Sequence, residues 1–286
     1  MDTTKELPTV VAFCAGYGGI ERGLDLAGVE HRVVAYVEIE AFAIANLVSK
    51  MEAGLLPPAP IYTDIKTFPS HLFRGKVSIL TGGYPCQPFS AAGKRKGTDD
   101  PRHLWPHIRR HIEAIRPIQC FFENVEGHIS LGLSTVVSDL EEDGYRAAWG
   151  IFSAREVDAP HQRKRVYILA NSDNTRLRQS KQANETQSSK RLDSGSVSQR
   201  KNLAYTDSAL GTGGSIPSGV HKEHAELDSG SNTSRWIATF KWPTEPRVGR
   251  VVDGGSHRVD RLRLLGNGVV PQTAAKAYIT LTERIT

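Results

Sequence analysis

Four short runs rich in β-branched and aromatic residues, Val10–Cys14, Arg32–Glu38, Val77–Thr81 and Ile118–Glu123, recur along the first half of the chain. Helical patterns separate or follow them, at Gly18–Ala27, Glu40–Met51, Trp105–Ile115 and Leu133–Asp143. Strands that alternate with helices demand crossover connections, which restricts the fold to an α/β sheet. Two further runs, Tyr145–Ile151 and Val166–Ala170, have only a loop between them and are expected to pair antiparallel. A last helix is expected over Gln272–Ile285, after Pro271. Its Ala, Tyr, Ile and Leu side chains need burial, so this segment should return to the first sheet.

From about Asn171 to Arg235 the composition shifts to Ser, Asn, Gln, Thr and Gly, with isolated Leu177, Leu192, Leu203 and Leu210. Such a stretch carries too little apolar surface for a core and is expected to be loop-rich. Three regions follow: residues 1–170, a variable segment 171–240, and a C-terminal segment 241–286 that rejoins the first. A hydrophobic content of 39% over 286 residues is that of an ordinary globular protein. No run approaches the roughly 20 apolar residues that span a bilayer. The opening MDTTKELPTV has neither a basic leader nor an apolar run, so a cytoplasmic location with no membrane partner is expected. Cys14, Cys86 and Cys120 are odd in number and far apart, which argues against a disulfide framework or structural zinc. The net charge of +5 permits a polyanionic partner without requiring one.

The first strand ends in Phe13-Cys14-Ala15-Gly16-Tyr17-Gly18-Gly19. Glycines there allow a tight turn and let a ligand approach the backbone at a helix N-terminus. A dinucleotide fingerprint would carry another glycine three residues after Gly18, where Glu21 stands, and an acid there would repel a pyrophosphate. The second strand ends at Glu38, 20 residues after Gly18 (38 − 18), where an acid grips ribose hydroxyls. Asp64 can accept a hydrogen bond from an adenine amino group. Together these residues point to a nucleoside ligand without phosphates; the bland alternative is a strand–turn–helix whose glycines serve only packing.

Thr81-Gly82-Gly83-Tyr84-Pro85-Cys86-Gln87-Pro88-Phe89-Ser90 follows the apolar run Val77–Leu80. Glycines and prolines put Cys86 on a stiff loop at the carboxyl end of a strand, where open α/β sheets bind ligands. Cys14 and Cys120 sit in apolar strands and read as packing residues. Cys86, among turn formers, reads as a nucleophile. Glu123, in Phe121-Phe122-Glu123-Asn124-Val125, ends an apolar strand at the same edge, where burial would raise its pKa and let it share a proton. In His161-Gln162-Arg163-Lys164-Arg165 the two arginines alternate along a strand start and are expected to project together toward phosphate and base oxygens. A solvated strand end or basic edge is the plain alternative for each.

GGYPCQPFS, ENV, the QRKR run, the leading FCAGYGG and the late Gly266-Asn267-Gly268-Val269-Val270-Pro271 together resemble the ordered motifs of cytosine-C5 DNA methyltransferases. The resemblance covers the chain apart from the variable segment. It implies a Rossmann-like class I methyltransferase mixed sheet flanked by helices, with a small irregular target-recognition region. It also implies S-adenosylmethionine as methyl donor, without a metal, and double-stranded DNA as partner, with no obligatory protein partner and a monomeric state. Phe13, Gly16, Gly18, Gly19, Glu38, Ile39, Asp64, Pro85 and Asn267 match cofactor-contacting positions. Cys86 matches the nucleophile, Glu123 the acid on cytosine N3, and Arg163 and Arg165 the arginines near the target base. Ser90, Lys94, Arg95 and Lys96 would clamp DNA phosphates. Family members carry a glutamine two residues before the first arginine; here that residue is His161, and no catalytic role is carried onto it or onto Gln162.

His103, His107 and His111 recur every four residues and would share one helix face. Arg109, Arg110 and Trp105 crowd the same helix, so a polar face is expected rather than a metal site. Three rival functions have the same residues to explain: a cytosine methylase acting on RNA, a non-catalytic DNA-binding relative, and a dinucleotide oxidoreductase.

Overall fold

Every residue of Thr9–Phe13 except the first is buried, because both faces of this strand are covered. It forms β1, the middle of the parallel portion of a seven-stranded sheet. In the computed structural model residues 6–85, 104–173 and 264–285 are described. The other strands are β2 (Arg32–Val37), β3 (Ile61–Tyr62), β4 (Ile79–Gly82), β5 (Gln119–Val125), β6 (Tyr145–Ser153) and β7 (Lys164–Ser172). The sheet order is β3-β2-β1-β4-β5-β7-β6. β1 to β5 run parallel, while β7 lies antiparallel between β5 and β6.

The helices are α1 (Gly19–Leu26), α2 (Ala41–Glu52), α3 (Trp105–Ile115), α4 (His128–Leu131), α5 (Leu133–Glu142) and α6 (Pro271–Ile285). Alternation along the strands splits the core in two. Val11, Phe13, Leu80, Phe122 and Ile168 face α3 and α5, while Val10, Ala12, Phe121, Tyr167 and Leu169 face α1 and α6. Truncating a fully buried ring such as Phe122 costs about 3–5 kcal/mol. Arg109 of α3 joins Asp143 of α5 at 3.1 Å and also pairs with Asp139, so a charged seam lashes the two helices together. The final helix packs on α1, β6 and β7.

The strand order reverses between β1 and β4, and in open α/β sheets the ligand crevice lies outside the carboxyl ends at such a point. Because β7 is antiparallel, its first residues reach that same edge, with Arg165 opposite Val125. The expected boundary at 170/171 falls inside β7, while residues 174–263, which hold the rest of the variable segment and its second boundary, lie outside the described residues, as does His103.

Candidate active site

After Phe13 the chain turns through Cys14 (φ 49°), Gly16 (φ 56°) and Gly18 (φ 83°) into α1. Gly18 is the residue before the helix, and its left-handed backbone is the conformation that glycine adopts without strain. Glu38, directly after β2, fixes the turn. Its Oε2 accepts from the Gly16 amide at 2.7 Å, and its Oε1 from the Glu40 amide at 2.8 Å. One carboxylate thereby holds both the glycine loop and the approach to α2. Ile39, between the two acids, leaves 72% of its surface in solvent. Asp64 caps a short 3-10 turn by accepting from the Lys66 amide at 2.8 Å.

His111 departs from the polar-face expectation. Only 1% exposed, it sits edge-on to Phe13 and Phe68. Its Nε2 lies 2.6 Å from the Ile65 carbonyl and its Nδ1 3.0 Å from Ser70 Oγ. The histidine spacing reflects one buried strut behind the Asp64 turn; among the described residues no group of three metal-type ligands converges. Phe13 is buried beneath the same turn. Glu21 likewise points away from the ligand edge: it is 4% exposed and accepts from Thr81 Oγ1 of β4 at 2.5 Å. Burial, with Glu38 beside it, pushes the Cys14 thiol up to about 12, and burial raises Cys120 further. Neither offers a thiolate near neutral pH.

On the other side of the crevice β4 ends at Gly82, and Gly83-Tyr84-Pro85 leads toward Cys86. Tyr84 is held at both ends. Its carbonyl accepts from Asn124 Nδ2 at 3.0 Å, and its hydroxyl lies 3.2 Å from His128 Nε2. Its ring packs against Trp105 and Phe122. Pro85 is exposed at the end of this post. Cys86, Ser90, Lys94, Arg95 and Lys96 lie outside the described residues.

Glu123 and Asn124 are neighbours on β5, so they point to opposite faces. Asn124 goes to Tyr84, whereas Glu123 turns to the crevice, 6% exposed. Arg165 Nε stands 3.0 Å from Glu123 Oε1, off the line of a hydrogen bond, so the oxygen has an ion contact and no hydrogen-bond donor. A side chain on Gly83 would come within 3.5 Å of Glu123 Oε2, so the acid abuts the backbone three residues before Cys86. Burial pushes the Glu123 carboxyl up to about 7, against the opposing pull of Arg165 and Arg163.

Arg163 and Arg165 do not share one orientation. β7 begins only at Lys164, and Arg163 ahead of it has φ 34°, so strand alternation does not reach it. Its Nη2 donates to the carbonyls of Gly266 at 2.8 Å and Gly268 at 2.5 Å, on either side of exposed Asn267. The Tyr17 hydroxyl donates to the Val269 carbonyl in the same segment. Asn124, Tyr17 and His128 are supports to which sequence reasoning gave no role, and His111 is one that it placed on a polar face. Only Asn124 carried a signal, as a polar residue on the inner face of an apolar strand.

The family model for C-5 cytosine-specific DNA methylase matches residues 9–234. Type II methyltransferase M.NaeI of Lentzea aerocolonigenes is 33% identical over 166 residues, 56% of this chain and 39% of that protein. Type II methyltransferase M.NgoMIV of Neisseria gonorrhoeae is 32% identical over 167 residues, 57% of this chain and 51% of its own length. The chain thus spans about half or less of the curated relatives it matches. The S. pombe Dnmt2 methyltransferase structure is similar with a TM-score of 0.49 at 26% identity, over 58% of this chain and 51% of that one. A mixed sheet flanked by helices, a glycine loop tied to an acid, and Gly83 set against a buried glutamate thus accompany a match over most of the sequence: the chain belongs to the C-5 cytosine-specific DNA methylase family.

Proposed function

We propose that this protein transfers a methyl group to C5 of cytosine within a specific sequence of double-stranded DNA, through a covalent bond between Cys86 and C6 of a flipped-out base. The methyl donor is S-adenosylmethionine. The crevice suits that ligand: a Cβ on Gly16 would meet nothing within 4 Å, so open space lies over the loop. Exposed Ile39 offers an apolar face beside the acidic rim of Glu38 and Asp64. Gly18, Pro85 and Asn267 complete the proposed cofactor surface, with Phe13 and Gly19 buried behind it. Bound there, S-adenosylmethionine supplies an electrophilic methyl group.

Cytosine C5 is a poor nucleophile and must first receive electron density. Thiolate addition of Cys86 forms the sulfur–C6 bond and pushes an electron pair toward C5 and N3. Glu123 in its protonated form donates to N3, and Arg165 supports the charge at O2. C5 then takes the methyl group. A base, for which water suffices, takes the C5 proton as the Cys86 sulfur leaves by elimination, and N3 returns its proton to Glu123, which restores the ring. A stacked base cannot present C6 to a thiolate, so the cytosine leaves the duplex at a cost of a few kcal/mol. Lys94, Arg95, Lys96 and Ser90 are assigned to the DNA backbone during that step. The protein acts as a cytoplasmic monomer in this reading, and no helix among the described residues is long and apolar enough to cross a membrane.

The observation that carries the proposal is the buried glutamate with its raised pKa, in ion contact with Arg165 and against the backbone leading to Cys86. Labelled methyl incorporation into DNA and RNA, compared side by side, tests it. The wild type should label DNA, and Cys86→Ala should label nothing while still binding the methyl donor. Labelling of DNA by Cys86→Ala refutes the nucleophile, and labelling of RNA alone refutes the substrate.

A further inference from the structure

Gly266 to Val269 reaches the ligand edge from the far end of the chain, and side chains distant in sequence hold it there. Arg163 takes the carbonyls of Gly266 and Gly268; the Tyr17 hydroxyl takes that of Val269, across 252 residues of sequence. Lys50 Nζ donates to the Tyr17 carbonyl at 2.8 Å and lies 5.2 Å from the centre of its ring, which fixes the tyrosine from behind. The fit is close. A Cβ on Gly268 would overlap the Tyr17 ring, and one on Gly19 would come within 2.7 Å of the Val269 carbonyl.

Each partner is thereby turned from a role its position would otherwise allow. Arg163 spends its Nη2 donors on Gly266 and Gly268, while Arg165 makes the ion contact with Glu123. Asn267, between the two held carbonyls, stays exposed at the crevice. We propose that Arg163 and Tyr17 form a latch that docks Gly266–Val269 against the glycine loop, making both of them positioning residues for the cofactor pocket. Both bonds leave one guanidinium nitrogen, Nη2, whose two protons can serve one carbonyl each. The inference rests on the proposal that the crevice binds S-adenosylmethionine.

Titration calorimetry of the full chain with S-adenosylmethionine, in the absence of DNA, tests the latch. Arg163→Met should weaken binding about tenfold and Tyr17→Phe about fivefold, with Arg163→Lys recovering part of the loss. Gly268→Ala should weaken binding about tenfold in the wild-type background and hardly at all in a Tyr17→Ala background, because the overlap is with that ring. A general loss of structure gives no such dependence on background. If Arg163→Met fails to fold, the Gly268→Ala comparison decides. The latch is overturned if Arg163→Met binds the donor as tightly as wild type and fails only in transfer to DNA, or if the cost of Gly268→Ala is the same in both backgrounds. A folded wild type that binds no S-adenosylmethionine overturns the functional proposal and the latch with it, whereas normal wild-type binding with unaffected variants overturns the latch alone.

Discussion

Glu38 and Glu123 stand at the carboxyl ends of parallel strands on one edge of the sheet, 7% and 6% exposed, and their partners differ in kind. Glu38 faces two backbone amides, one on each oxygen, both at ordinary hydrogen-bond distance. Glu123 faces a guanidinium that misses hydrogen-bond alignment, and its Oε1 has no donor. Two aligned amides make Glu38 a structural tie between the glycine loop and the approach to α2. At Glu123 burial outweighs the pull of the two arginines, which leaves the group ready to carry a proton. Two acids of equal burial therefore do different work, and only the geometry of their donors separates them.

The sharpest way to break this contrast is to neutralise each acid in place. Glu123→Gln should slow single-turnover methyl transfer by about 100-fold or more and leave donor binding intact. Glu38→Gln should do the reverse: its amide nitrogen would oppose the Gly16 or Glu40 amide, a donor against a donor. Donor affinity should then fall about tenfold, with a near-normal rate at saturation. Equal effects of the two changes on rate and affinity would erase the distinction.

A smaller effect separates the partners of Glu123. If its protonated form is required, transfer should decline as pH rises through about 7 in the wild type. Arg165 holds that carboxyl down, so Arg165→Met should move the decline to higher pH, on top of a lower rate. A decline that stays put or moves to lower pH contradicts the role given to the ion contact. The smallest effect concerns Glu21, a third buried acid, which is placed away from the ligand edge. Burial raises its pKa above 4.5, so folding is favoured below that value and loses this contribution as pH rises toward the folded pKa. Glu21→Gln should flatten the fall in thermal stability as pH rises above about 4.5, with donor affinity unchanged. Calorimetric melts across that range measure it.

Much of this arrangement was legible in the residues, and the gaps have physical causes. Strand and helix spans followed from apolar runs and periodicity: the structure has Trp105–Ile115 as expected and extends Val166–Ala170 to Lys164–Ser172. The expected antiparallel pairing of that strand with Tyr145–Ser153 is present. β3 escaped notice because two residues, Ile61 and Tyr62, carry no alternation. Insertion of β7 between β5 and β6 is a tertiary choice that local pattern does not encode. At the site, Glu123 and Glu38 announced themselves as acids ending apolar strands. The orientation of Arg163 did not, since period-two reasoning assumes a strand that starts one residue later. His111 looked like one of a polar row because spacing alone does not reveal which member faces the core.

The most direct test of the account joins purified protein, S-adenosylmethionine and duplex DNA carrying 5-fluorocytosine in its target sequence. Fluorine in place of the C5 proton blocks the last elimination, so the account predicts a methylated adduct linked to the chain at Cys86, found by peptide mass spectrometry and lost in Cys86→Ala. If protein that binds both partners and methylates ordinary DNA forms no such linkage, or forms it at another residue, the covalent route through Cys86 is wrong.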